Sequence, residues 1–199
     1  MTLDAACAPH GLFVMGAAGD TVLIGAGRGM WPVFTASDEY ADDTADPLDR
    51  WSKRVIGGIA ADFGGHALFP SDGPPYAPFI KWAKDTGRFW SSPTGMLVHD
   101  VAGLMISIRG AVVIEGYGAE PEAGNSPCVG CEAPCAVACP VGALNAETMY
   151  DVPACKAYLH SDPGATCMGA GCLARRACPV SQAFGRDPAQ SAFHMRAFR

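Results

Sequence analysis

Eight of the nine cysteines in this 199-residue chain lie between Cys128 and Cys178. They form two runs, Cys128-x2-Cys131-x3-Cys135-x3-Cys139-Pro140 and Cys155-x11-Cys167-x4-Cys172-x5-Cys178-Pro179. An odd number of cysteines cannot pair completely, and in a reducing compartment disulfides are rare. Because thiolates bind zinc and iron-sulfur clusters, metal ligation is the chemistry that these residues indicate first.

Two kinds of metal site account for eight thiolates in different ways. A cubane cluster needs one thiolate at each of four irons, and a short loop can supply three of them but hardly the fourth. An all-cysteine zinc site usually takes its four ligands from two separated cysteine pairs. One such site would leave four of the eight cysteines unused. Two sites would have to share ligands between the two runs, and the Cys-Pro pairs do not favour that arrangement. The pattern favours iron-sulfur clusters, with zinc, unmetallated thiols and a purely structural cluster as the alternatives.

The duplicated Cys-Pro resembles bacterial two-cluster ferredoxins, in which the fourth Cys of each run serves the other run's cluster. Carried over to this chain, the resemblance implies two [4Fe-4S] clusters with two ligand sets. These sets are Cys128, Cys131, Cys135 and Cys178 for one cluster, and Cys139, Cys155, Cys167 and Cys172 for the other. The chain departs from the simple ferredoxin run, because three residues rather than two separate its second and third Cys and eleven separate Cys155 from Cys167.

A second resemblance covers residues 98 to 114. Val98-His99-Asp100 and Ile108-Arg109-Gly110 resemble the H-P-x-x-G-x-W-x-x-R-G segment of the cobalamin-processing proteins of the methylmalonic aciduria type C family. An apolar strand followed by a two-cluster module with the helix Cys155-Lys156-Ala157-Tyr158-Leu159 resembles epoxyqueuosine reductase. Asp100 stands where the cobalamin proteins have Pro, and Met105 lies near the position of their Trp.

These resemblances imply different functions. A ferredoxin-like electron carrier would accept electrons from one redox protein and pass them to another, and it needs no catalytic side chain; the sequence shows no nucleophile elbow or H-E-x-x-H motif. A reductase would bind cobalamin or flavin in a flavin-reductase-like N-terminal domain, with His99 and Arg109 as cofactor contacts. A lone His beside a strand is also typical of a structural residue, and Arg109 equally fits an ion pair between the two domains. A third hypothesis is a scaffold that zinc or a structural cluster helps to fold.

Charge and hydropathy narrow the classes of partner that this protein could bind. The net charge of −6 argues against nonspecific nucleic-acid binding, which needs clustered Lys and Arg. The charge is uneven, since residues 156 to 199 carry six bases against two acids, and this basic tail is a candidate docking surface for an acidic redox partner. No stretch approaches the ~20 apolar residues of a membrane helix, and the start, MTLDAACAPHG, does not resemble a signal peptide. We therefore expect a cytoplasmic protein without a membrane partner.

The elements predict an α+β fold, with an antiparallel-sheet domain over residues 1 to 120 and a small dicluster ferredoxin-like domain over residues 121 to 199. Two apolar runs near residues 11 to 25 predict a hairpin, and the run from Gly110 predicts a central strand. Helices are predicted from Asp46-Pro47, from Pro78 and from Pro188. The Gly25–Gly29 stretch does not fit a dinucleotide-binding loop, because its third Gly is misplaced and no helix is expected after it. Cys7 is expected to be a spare thiol near a mobile terminus.

Overall fold

The computed structural model describes residues 1 to 145 and 150 to 199. Helices and antiparallel sheets make the protein α+β, as the sequence predicts. The chain divides into two compact units, Met1–Arg88 with Ser107–Gly124 and Phe89–Ile106 with Asn125–Arg199. The division differs from a single boundary at residue 120, because residues 89 to 106 belong to the second unit.

The first unit contains an antiparallel sheet in the order β1-β2-β6-β3, with elements numbered in chain order. Its strands are β1 (Leu12–Ala18), β2 (Thr21–Ala26), β3 (His66–Leu68) and β6 (Ile108–Val113). Its helices are α1 (Leu3–Cys7), α2 (Met30–Thr35), α3 (Asp38–Ala41), α4 (Pro47–Asp62) and α5 (Phe79–Asp85). The predicted hairpin is confirmed as β1 and β2, and the predicted central strand is confirmed as β6, which lies between β2 and β3.

Helix α4 covers the sheet because its apolar residues recur on one face. Leu48, Trp51, Val55 and Ile59 are all buried, at the spacing that the sequence predicts. The helix begins at Pro47, as expected, but Asp46 makes no side-chain cap, since its backbone is left-handed (φ 53°). The fixed φ of Pro47 therefore starts this helix without the help of a cap.

The prediction that no helix follows the Gly25–Gly29 stretch is wrong, because α2 begins at Met30. Even so, the backbone of Gly11 packs against this loop, where a dinucleotide-binding loop would face its ligand. The Gly27 amide donates to the Gly11 carbonyl at 2.9 Å, and a Cβ on Gly27 would come within 2.6 Å of that oxygen. The glycine here permits two backbone segments to pack closely, so the loop remains unlike a dinucleotide-binding turn.

The expectation that Cys7 lies near a mobile terminus is also wrong. Cys7 ends α1 and is fully buried, and Thr2 caps that helix by accepting from the amide of Ala5. Burial, with a smaller contribution from Asp4, raises the pKa of the Cys7 thiol to about 11. The terminus is a packed helix because Leu3 and Cys7 both bury their side chains.

The second unit contains the hairpin of β4 (Phe89–Ser91) and β5 (Leu97–His99), together with short helices. These helices are α6 (Val152–Leu159), α7 (Ala165–Ala170), α8 (Leu173–Ala177), α9 (Pro179–Phe184) and α10 (Pro188–Phe198). The predicted C-terminal helix is confirmed as α10, which packs against α7, and Asp187 caps it through the amide of Ala189. In the described residues, we find no helix with the length and apolar character that crossing a bilayer requires.

Candidate metal centres

Four cysteines of the second unit, three from residues 128 to 135 and one from a distant position, line one cavity of about 40 Å³. We call them the first cysteine set: Cys128, Cys131, Cys135 and Cys178. Cys135 and Cys178 are buried, and the other two are half-buried. Burial raises the pKa of the Cys135 thiol, and the neighbouring Cys178, Cys128 and Cys131 raise it further. Their mutual influence shows that the four sulfurs are electrostatic neighbours.

The wall of this cavity is apolar and comes partly from the β4–β5 hairpin. Val98 and Leu104 are buried with Cys135 and Cys178 in one cluster, against which Trp90 packs. Sequence reasoning missed this contribution, because nothing in residues 89 to 106 refers to the cysteines 22 or more positions away. These apolar side chains shield Cys135 and Cys178 from water, which lowers the local dielectric constant around those two sulfurs.

The loop between Cys131 and Cys135 contains the extra residue that distinguishes it from a simple ferredoxin run. Ala133 takes a left-handed backbone conformation (φ 52°) and leads into a 3₁₀ turn at Pro134–Ala136. The Ala133 amide donates to Cys131 Sγ at 3.4 Å. The additional residue therefore turns a backbone donor towards a sulfur of the first cysteine set.

Cys178 is positioned by a sharp break between two helices. It follows α8 and precedes α9, where Pro179 occupies the first helical position and the Cys178 backbone is extended (φ −66°, ψ 124°). Ser181 Oγ accepts a hydrogen bond from the Leu104 amide at 2.8 Å, which fixes the first turn of α9. The proline supplies the break because it fixes φ and lacks an amide hydrogen.

We call the other four cysteines between residues 128 and 178 the second cysteine set: Cys139, Cys155, Cys167 and Cys172. Burial raises the pKa of the Cys167 thiol; a backbone hydrogen bond from Leu173 opposes this, and Cys172, Cys155 and Cys139 raise it further. Cys139 Sγ also accepts from the Ala143 amide at 3.3 Å. Cys139, the fourth cysteine of the first run, thus acts electrostatically on Cys167 of the second run, whereas Cys178, the fourth cysteine of the second run, lines the cavity of the first.

Arg175 brings a positive charge to the second cysteine set, and sequence reasoning missed this residue. Its Nη1 donates to the Leu104 carbonyl at 2.6 Å. Burial lowers the pKa of Arg175, whereas Cys172 and Tyr150 raise it. A buried guanidinium beside thiols is suited to offset the negative charge of their thiolate forms.

In the described residues, no group of three or more His, Cys, Asp or Glu side chains is arranged so that it could hold a metal ion. The described ranges include all eight cysteines, so this statement covers both sets.

His99 is fully buried in the second unit. Its Nδ1 accepts hydrogen bonds from the amides of Val101 and Ala102, each at 3.1 Å, and its ring meets Phe89 edge-on at 4.7 Å. Asp100 Oδ1 also lies 3.1 Å from Nδ1, but a nitrogen that accepts two amide hydrogens carries no proton to donate to a carboxylate. This ring nitrogen supports the turn after β5.

Arg109 lies in the first unit and has partners there. It pairs with Asp49 of α4, and its Nε donates to Ser52 Oγ at 3.1 Å. Burial lowers the pKa of Arg109, and Asp49 opposes that shift. Arg109 thus joins β6 to α4 within the first unit. The expected ion pair exists, but the expectation that it links two domains is wrong, because both partners belong to the same unit. His99 and Arg109 belong to different units, and their cofactor roles stay predictions.

No protein-family model, no curated protein and no solved structure matches this chain.

Proposed function

We propose that this chain binds two [4Fe-4S] clusters, one in each cysteine set, and transfers single electrons between redox partners. The observation that carries this proposal is the place of Cys178, which lines the same cavity as Cys128, Cys131 and Cys135. The crossed ligand sets of a two-cluster ferredoxin require this arrangement.

The donor chemistry of the first cysteine set fits the proposed group. Four thiols surround a cavity of about 40 Å³, which exceeds the space that one water molecule needs. A zinc ion draws its sulfurs to about 2.3 Å from a single atom. A cubane instead binds each thiolate at a separate iron, so its ligands surround a volume.

In this proposal, the residues around the two cysteine sets shield sulfurs from water, donate hydrogen bonds to sulfur or supply charge. A bound [4Fe-4S] cluster supplies a centre that exchanges one electron at a time. Val98 and Leu104 shield Cys135 and Cys178 from water, and the Ala133 and Ala143 amides donate to one sulfur in each set. Such hydrogen bonds to sulfur, together with the charge of Arg175, influence a reduction potential. Electron transfer needs no further catalytic side chain.

A reducing cytoplasm, which keeps thiols available as ligands, is the compartment we propose.

Iron and sulfide quantitation on anaerobically purified full-length protein tests the proposal. We expect about eight irons and eight acid-labile sulfides per chain, and an electron paramagnetic resonance signal after reduction. Stoichiometric zinc without sulfide would overturn it. The Cys7→Ala variant is the matched control, since it removes the cysteine outside both sets and should leave the iron content unchanged.

A further inference from the structure

A second, larger cleft lies in the second unit, apart from the cavity of the first cysteine set. Its volume is about 570 Å³, which falls in the range of small-molecule sites. It is open to solvent and is lined by residues of α7, α8, α9 and α10. We call it the arginine cleft, after Arg176 and Arg186 in its wall.

The charged side chains that line this cleft are all positive. Among the described residues that line it, the charged ones are Arg176 and Arg186, both cationic, and no carboxylate accompanies them. In a protein whose net charge is −6, two guanidinium groups in one concave wall form a local positive site. Guanidinium groups bind carboxylate and phosphate through paired hydrogen bonds.

Arg176 carries a polar atom without a partner. Its Nη1 is buried and has no hydrogen-bond partner within the described part of the chain. An unmade hydrogen bond on a buried donor is unfavourable, so a turn of the guanidinium that brings this atom to a ligand oxygen in the cleft would be favoured. The backbone beneath is held in place, because Gln182 Nε2 donates to the Arg176 carbonyl at 3.1 Å.

Arg186 is anchored on the same wall. Its Nη2 donates to the carbonyl of Met105, which also lines the cleft. Ser181, another wall residue, is fixed by its bond from the Leu104 amide. The polar side of the cleft is therefore largely formed before a ligand arrives, which reduces the entropy that binding would cost.

The wall also has an apolar part, which includes Met105, Leu173, Ala170 and Ala177. We propose that the arginine cleft binds a small organic anion, whose carboxylate or phosphate contacts Arg176 and Arg186 and whose apolar part packs on this wall. Leu173 follows Cys172 and Ala177 precedes Cys178, so the ligand lies against segments that carry both cysteine sets. The binding itself requires no metal, and its test is separate from that of the proposed electron transfer.

Calorimetric titration of the anaerobically purified full-length protein tests this proposal. The probes are benzoate, phenyl phosphate and the neutral benzyl alcohol. We expect saturable binding of at least one anion and at least about tenfold weaker binding of the alcohol. The stronger of the two anions identifies the headgroup. No saturable heat with either anion up to about 10 mM, or equal affinity for benzyl alcohol, would overturn the proposal.

Substitution locates the site. Arg176→Gln should weaken anion binding at least about tenfold, whereas Arg176→Lys should retain part of it. Arg196→Gln is the matched control, because Arg196 is an exposed arginine of α10 outside the cleft. Unchanged affinity in Arg176→Gln, or an equal loss in Arg196→Gln, would contradict the assignment. Iron content measured on every sample shows whether metal loading is equal, so a failure here leaves the cluster proposal standing.

Discussion

Ser181 Oγ accepts a hydrogen bond from the amide of Leu104 across 77 positions of sequence. Gly103, beside Leu104, has a left-handed backbone (φ 58°), and a Cβ there would come within 2.4 Å of the Ser181 nitrogen. Cys178 lies one turn before Ser181 and Val98 lies in the strand before Gly103. This contact therefore joins the helix that follows Cys178 to the hairpin that walls its cavity.

Ser181→Ala should destabilise the protein, because it leaves the buried Leu104 amide without an acceptor. The expected loss in free energy of unfolding is ~1–3 kcal/mol. Gly103→Ala should cost more, since it adds a steric clash to a strained φ. Urea unfolding followed by circular dichroism measures both. The exposed Ser161→Ala is the control, and a Ser181→Ala loss no larger than that of Ser161→Ala would contradict the prediction.

Cys135→Ser and Cys178→Ser should remove the same iron-sulfur cluster, because both residues belong to the first cysteine set. Each variant should keep about four irons per chain and the same residual paramagnetic signal. Cys172→Ser should keep the other signal. If Cys135→Ser and Cys178→Ser retain different signals, the crossed ligand sets are wrong.

Arg175→Gln should lower the reduction potential of the cluster in the second cysteine set. A nearby cation stabilises the reduced state, which is the more negative one, so removing that cation makes reduction harder. Potentiometric titration measures the shift. Arg175→Lys keeps the charge and should restore most of the potential. Equal potentials in Arg175→Gln and the unmodified protein would show that the guanidinium acts on packing alone.

Asp49→Asn should destabilise the first unit, because it leaves the Arg109 guanidinium without its counter-charge. Breaking a buried pair costs ~3–5 kcal/mol. The Asp49 side chain is 38% exposed, so water offsets part of this and we expect ~1–3 kcal/mol. Urea unfolding is the measurement. Asp62→Asn, at the exposed end of the same helix, is the control and should change stability by under ~0.5 kcal/mol.

The pair of Glu39 and Arg54 predicts a pH dependence. Arg54 Nε and Nη2 donate to the Glu39 carboxylate at 2.5 and 2.9 Å, and chiefly these bonds lower the pKa of Glu39 to about 2. An unfolded Glu titrates near ~4.3. The stabilisation is therefore present above about pH 4.3 and is lost as the pH falls through about 2.

Glu39→Gln should accordingly reduce stability at pH 7 by ~0.5–1 kcal/mol, and the difference from the unmodified protein should vanish near pH 2. Thermal unfolding across this pH range tests it, with the exposed Glu115→Gln as the control. A difference that grows on acidification would have the wrong sign for this pair.

Local sequence rules predicted the elements with the clearest apolar spacing or a proline at the start. The spacing of Leu48, Trp51 and Val55 predicted α4, because side chains three and four positions apart share a helix face. Pro188 predicted the start of α10, since its fixed φ suits a first helical turn. The same rules failed after Gly29, where apolar burial of Met30 and Phe34 stabilises a helix that Trp31-Pro32 appeared to exclude.

The eight cysteines by themselves determined the chemistry to be considered, because ligand type and spacing are properties of the chain. Only the tertiary structure decided what encloses them. The β4–β5 hairpin, Arg175 and the arginine cleft depend on contacts between residues far apart in sequence, such as Leu104 with Arg175 and Ser181. No local periodicity encodes such contacts, because they form only when apolar surfaces from separate segments are buried together.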